Sequence, residues 1–113
     1  MKVVQYNKAN APITVDAAKA GPALDVSGFG PLTVAVQLAL SGASSPTGIT
    51  ATLQGSMDGV TWFNVDSAVN LTANGAVFVG LSSVNLKQYR INYARSSGSI
   101  VVTETFLVYG DRI

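Results

Sequence analysis

Residues 32–40 read Leu-Thr-Val-Ala-Val-Gln-Leu-Ala-Leu, an alternation with a period of two. Leu32, Val34, Val36, Leu38 and Leu40 fall on one side of an extended chain, and Thr33, Ala35, Gln37 and Ala39 on the other. Such a stretch is a strand with one face in a core and one face outside it. The same alternation returns in Ile49, Ala51 and Leu53 and again in Tyr89, Ile91 and Tyr93. Less regular β-rich pieces occur at Val3–Tyr6, Ile13–Asp16, Leu24–Ser27, Val60–Asp66, Ala76–Leu81 and Ile100–Tyr109. Turn clusters separate them at Ala20–Pro22, Gly28–Pro31, Ser41–Gly48, Thr72–Gly75 and Ser96–Ser99. No segment sustains a helical period, although Asp16–Ala20 is able to form one helical turn. The expected fold is all-β: one antiparallel sandwich of about eight strands, jelly-roll or immunoglobulin-like, spanning residues 1–113. Residues 1–26 are expected either as an extended arm on a neighbour or as a strand of the chain's own sheet.

The composition narrows function by exclusion. A chain of 113 residues is long enough to bury one core without staples. It has neither cysteine nor histidine, which removes disulfides, thiolate chemistry, Cys/His metal sites and histidine general bases. Charged residues make up 12% and the net charge is +1. That balance supplies no long-range attraction to nucleic acid or to an anionic membrane, and neither is expected as a partner. So little charge on a small domain also implies that part of its surface is normally covered. The N-terminal residues lack the apolar run of a signal peptide, which points to synthesis and use from the cytosol.

The most chemically suggestive stretch is Gly55-Ser-Met-Asp-Gly-Val-Thr-Trp62. Asp58-Gly59 between β-rich runs is a hairpin signal of the type I′ kind. The hairpin reading seats Trp62 in the core. Three sharper readings fall short on this sequence. A propeller Asp-box needs one more residue between Asp58 and Gly59, and a repeat. A sugar-stacking tryptophan has only Asn64 and Asp66 as local polar partners. A calcium loop needs more oxygen ligands than Asp58 alone provides. No catalytic residues, metal ligands or cofactor are therefore expected, and the chain is not expected to be an enzyme.

Ile49–Val65 and Leu86–Gly110 together resemble small β-sandwich proteins of tailed-phage virions, capsid decoration or cement proteins above all. A strand, a Gly-Ser-x-Asp-Gly-x-x-Trp hairpin, a second strand and Tyr89-Arg-Ile-Asn92 before a glycine turn carry the likeness. That resemblance implies a virion location on the capsid surface, a major capsid protein as partner and a homotrimeric state. A fainter likeness, to discoidin-type domains, implies the alternative of a carbohydrate- or receptor-binding module on a phage tail or fibre. Within this reading the uncharged set Thr33, Ala35, Gln37 and Ala39 is the candidate interface. Glu104, the only glutamate, shares its phase with Ile100, Val102, Phe106 and Val108. The favoured expectation places that phase on a subunit interface, with Arg90 or Arg95 as the partner of the carboxylate.

Overall fold

The computed structural model describes residues 2–26, 29–82 and 86–112, with side chains over 10–26, 33–82 and 86–110. Eleven strands follow in order: β1 Lys2–Ala9, β2 Ile13–Val15, β3 Lys19–Ala20, β4 Leu24–Asp25, β5 Phe29–Ser41, β6 Gly48–Ser56, β7 Trp62–Asn64, β8 Val69–Leu71, β9 Gly75–Ser82, β10 Gln88–Ser97 and β11 Ile100–Arg112. One sheet, A, runs β1-β11-β5-β9 with β2 also on β11. The other, B, runs β3-β10-β6-β7 with β4 on β10 and β8 on β6. All pairings are antiparallel.

Three of these strands are interrupted. β1 and β2 share one flank of β11, β3 and β4 one flank of β10, and β7 and β8 one flank of β6. With each interrupted strand counted once, the chain is a nested hairpin. Its innermost strands pair first, and its first and last strands pair outermost. Rolled into two sheets, this is the jelly-roll order rather than the immunoglobulin one. The N-terminal segment accordingly lies in the chain's own sheets, with β1 in register against β11 from Lys2↔Arg112 to Ala9↔Thr105. No helical turn forms at Asp16–Ala20. The chain bends there and enters β3, because pairing of Lys19 and Ala20 with Tyr93 and Asn92 satisfies their backbone groups.

The alternation read from the sequence decides the core. Val34, Val36, Leu38 and Leu40 of β5 face Ile49, Ala51 and Leu53 of β6 and Tyr89, Ile91 and Tyr93 of β10 across the sandwich, all buried. The side chain of Leu32 and the start of the turn at Gly28 lie outside the described residues.

β11 departs from the expectation. Ile100, Val102, Phe106 and Val108 are fully buried, and so is Glu104 between them. The phase assigned to an interface is the core phase, and among the described residues no arginine bonds Glu104. The carboxyl is satisfied inside the chain: the Tyr93 hydroxyl donates to Oε2 at 2.5 Å and the Asn10 amide to Oε1 at 2.9 Å. Main-chain bonds close the same place, with Asn10 N–H on the Glu104 carbonyl (2.9 Å) and Gly21 N–H on the Ile91 carbonyl (2.8 Å). A Cβ at Gly21 would overlap Glu104 Oε2. Removal from water raises the pKa of Glu104 above the usual carboxylate value, against the opposing bonds from Tyr93 and Asn10. Burial, followed by the charge of Glu104, raises Tyr93 as well. Bonded at both oxygens inside the chain, this carboxyl has partners other than the arginine that the sequence reading supplied.

The Asp58-Gly59 turn also forms differently. Among the described residues only glycines have positive φ, so Asp58 does not adopt the type I′ geometry, while Gly59 does turn at φ 78°. The connection is a five-residue loop tied by two side chains. Ser56 Oγ accepts from the N–H groups of Asp58 (3.3 Å) and Gly59 (2.8 Å). Asp58 Oδ1 accepts from Val60 and Thr61, both at 2.8 Å. These bonds lower the pKa of Asp58, Thr61 and Val60 contributing most. The longer loop sets the return register at Trp62↔Ser56, Phe63↔Gly55 and Asn64↔Gln54. Trp62 therefore falls on the outer phase and is half-buried, not in the core. Phe63 takes the inward phase, but on an edge strand, and remains 55% exposed.

Asp66, after β7, reaches sheet A. Its Oδ2 accepts from the Leu81 N–H at 3.0 Å and its Oδ1 from Ser67 at 2.8 Å, with Gly80 giving it room.

Two outcomes test the buried acid. Because its pKa is raised on folding, Glu104 stabilises the fold most below about pH 4.5, and this contribution declines as pH rises through the folded pKa. Thermal melts of wild type and Glu104→Gln from pH 4 to pH 8 should show the difference moving steadily in favour of the variant. Gly21→Ala should cost roughly 1–3 kcal/mol by overpacking. Added to Glu104→Ala it should cost clearly less, a coupling of about 1 kcal/mol or more in a double-mutant cycle by chemical denaturation.

Candidate interaction surfaces

Each sheet has an outer face, and the two differ in chemistry. The outer phase of β5 is Thr33, Ala35, Gln37 and Ala39, the set singled out from the sequence, with Gln37 and Ala39 exposed. Register adds Thr103, Thr105, Leu107 and Tyr109 of β11 on one side. On the other side β9 contributes Ala76, Phe78 and Leu81. None of these side chains is charged. Sheet B lies against the opposite face and β1 pairs along the far flank of β11, so neither covers this surface. A shallow hollow of about 240 Å³ is lined by Ala35, Gln37, Phe78, Thr105 and Leu107. Phe78, Leu81 and Tyr109 stand beside it at 61%, 51% and 50% exposure.

The exposed pair Phe78 and Leu81 was not legible in strict alternation, which puts them on opposite faces. A register shift supplies the difference. Gln37 pairs with Phe78 and Val36 with Gly80, leaving Val79 as the extra residue of a bulge. Val79 turns into the core, and both Phe78 and Leu81 emerge on the outside.

The outer face of sheet B is polar. Thr50, Thr52 and Gln54 of β6 lie beside Arg90, Asn92 and Ala94 of β10, with Asn64 and Asn70 at the edge. Arg90 sits outward, as the tyrosine alternation requires, and its guanidinium carbon lies 4.2 Å from the centre of the Trp62 ring. Its Nε donates to Gln54 Oε1 at 3.0 Å, and Gln54 Nε2 donates to Asn64 Oδ1 at 3.0 Å. Arg95, the other sequence candidate, lies at the far end of β10 with its Nε on the Gly98 carbonyl at 2.6 Å. A hollow of about 340 Å³ there is lined by Thr50, Asn70, Thr72, Arg95 and Ser96. The seven sequence candidates are thus divided: Thr33, Ala35, Gln37 and Ala39 lie together on sheet A, Arg90 and Arg95 lie on sheet B, and Glu104 is inside.

No protein-family model matches the chain, and no curated protein matches it. Solved structures do. The chain is similar to a protein of Bacillus endospore appendages, described as a novel family of disulfide-linked pili, with a TM-score of 0.62 and 13% identity. That match covers 98% of this chain and 89% of the other. It is also similar to the protein of infectious bursal virus-derived T=1 particles, with a TM-score of 0.53 and 12% identity. There it covers 99% of this chain but only 37% of the longer one. A third likeness is to FLHE, with a TM-score of 0.50 and 15% identity over 99% and 97% of the two chains. At these identities the likeness is one of fold: the jelly-roll sandwich of this chain recurs in an appendage protein, a virus-particle protein and FLHE.

Proposed function

We propose that this chain is a non-enzymatic structural subunit of a virus particle, a decoration protein that sits on the capsid surface and braces neighbouring major capsid proteins through the outer face of sheet A. The observation that carries this reading is the uncharged face of Gln37, Ala39, Phe78, Leu81 and Tyr109, all exposed, with Ala35 half-buried among them. Solvated sheet faces normally carry charge, and contiguous apolar surface marks a contact with another molecule. A bracing subunit needs rigidity and a neutral contact surface rather than chemistry, and the sandwich supplies both. The likeness of fold to proteins of a virus particle and of an appendage supports an assembled role. A closed homotrimer is the proposed oligomer, since several copies around one symmetry axis multiply weak contacts with the shell.

Replacing Ala35 and Ala39 together by lysine tests the reading. An unpaired charge buried in a contact costs roughly 3–5 kcal/mol. The variant should keep its melting temperature, since both positions point outward. It should lose the trimer mass in solution and its attachment to empty capsids. Unchanged mass and attachment would place the contact elsewhere.

A further inference from the structure

We infer that the outer face of sheet B is a binding site for carboxylate-bearing sugars, centred on Arg90 and Trp62. The site is separate from the sheet A contact and does not depend on it.

The geometry around Arg90 is that of a cation prepared for an anion it does not yet have. The side chain is held in two ways, by the Trp62 ring beneath the guanidinium and by Gln54 on Nε. Gln54 is itself fixed by Asn64, so the order extends across three strands. Among the described residues no carboxylate lies within ion-pair distance of Arg90, and the ion pair described in this chain is Lys19–Asp16. Asp25, opposite Gln88 at the rim, has an interaction of its own. The two terminal nitrogens of Arg90 donate to no described residue. They form a planar fork that matches a carboxylate with two parallel bonds. Holding the fork in place beforehand removes most of the ordering cost of binding.

The surroundings favour a sugar acid over an acidic protein segment. Asn92, Thr52 and Asn64 lie beside Arg90 in the sheet register, and each offers amide or hydroxyl groups of the kind that bond sugar hydroxyls. Towards the other end of the strands Thr50 and Asn70 continue the row into a hollow whose rim includes Arg95, set by the register opposite buried Ile49 and bonded through Nε to the Gly98 carbonyl. One cationic fork beside a row of amides and hydroxyls suits a sugar that carries a carboxylate and several hydroxyls. A protein partner calls for apolar anchors at the centre of its contact. Phe78, Leu81 and Tyr109 are such anchors on sheet A, whereas the exposed Met57, Val60 and Phe63 lie on the β6–β7 loop and edge strand and not among Asn92, Thr52 and Thr50.

The full chain is titrated with polygalacturonate, followed by the fluorescence of Trp62, the single tryptophan, and by retardation in affinity electrophoresis. Dextran is the neutral control and polyglutamate the acidic-peptide control. The polymer should shift the emission and retard the protein, while dextran does neither. Arg90→Gln should weaken binding about tenfold or more, the usual effect of losing charged hydrogen bonds. Arg90→Lys should do nearly the same, because it keeps the charge and loses the fork. Both variants should melt as wild type does. The Ala35/Ala39 lysine variant should bind normally, which separates this site from the particle contact. Equal binding of polyglutamate would replace the sugar by an acidic protein partner. Undiminished binding in Arg90→Gln, or no binding of polygalacturonate, would overturn the site.

Discussion

The sandwich depends on one buried carboxyl. Glu104 occupies a core position of β11 at the level where both N-terminal strands are interrupted: β1 gives way to β2 at Asn10, and β3 to β4 at Gly21. An apolar residue there would take from the Asn10 amide and the buried Tyr93 hydroxyl the partner they have in the carboxyl, a cost of about 1–3 kcal/mol for a buried group left unsatisfied. Glu104 instead draws Asn10 from sheet A and Tyr93 from sheet B to its two oxygens. One side chain thereby joins both sheets beside the two breaks of the N-terminal segment. The bare α-carbon of Gly21 provides the space.

Most of the fold could be read from the sequence because strands with one dry face write their burial as alternation. The β5, β6 and β10 stretches behave this way, and their buried residues match the reading position by position. Two places could not be read so, and both involve tertiary contacts that alternation does not encode. In β11 the phase containing a glutamate is the core phase, because Asn10 and Tyr93, 94 and 11 residues away, supply its partners. At Trp62 the deciding factor was loop length: side-chain bonds from Ser56 and Asp58 stabilise a five-residue connection, and the strand returns with its phase reversed. The uncharged face of β5 was legible as a candidate surface. Its extension to Phe78 and Leu81 required the bulge at Val79, which only the pairing with β5 shows.

The two outer faces divide the work of the surface by chemistry. Sheet A presents alanine, threonine and exposed aromatic and aliphatic groups, suited to dry contact with a packed neighbour. Sheet B presents amides, hydroxyls and Arg90, suited to wet and directional contact. Because the sheets lie back to back, a molecule seated by one face turns the other away from it. A subunit attached to a particle through sheet A would direct Trp62 and Arg90 outward.

The bond from Asp66 to Leu81 bears on how copies of this chain are able to associate. β9 is the edge of sheet A, and Gly75–Ser82 contains no charged residue and no proline. Such an edge invites a foreign strand to continue the ladder, the first step towards fibrous growth. The Asp66 carboxylate occupies the Leu81 donor, and the bulge at Val79 breaks the regular row on either side. A docking strand would meet the bulge and then an occupied donor near the end of β9, and lose its register. Its hydrogen bonds, Leu81 foremost, hold the pKa of Asp66 below the ordinary carboxylate value. Lateral ladder growth along β9 is thus discouraged.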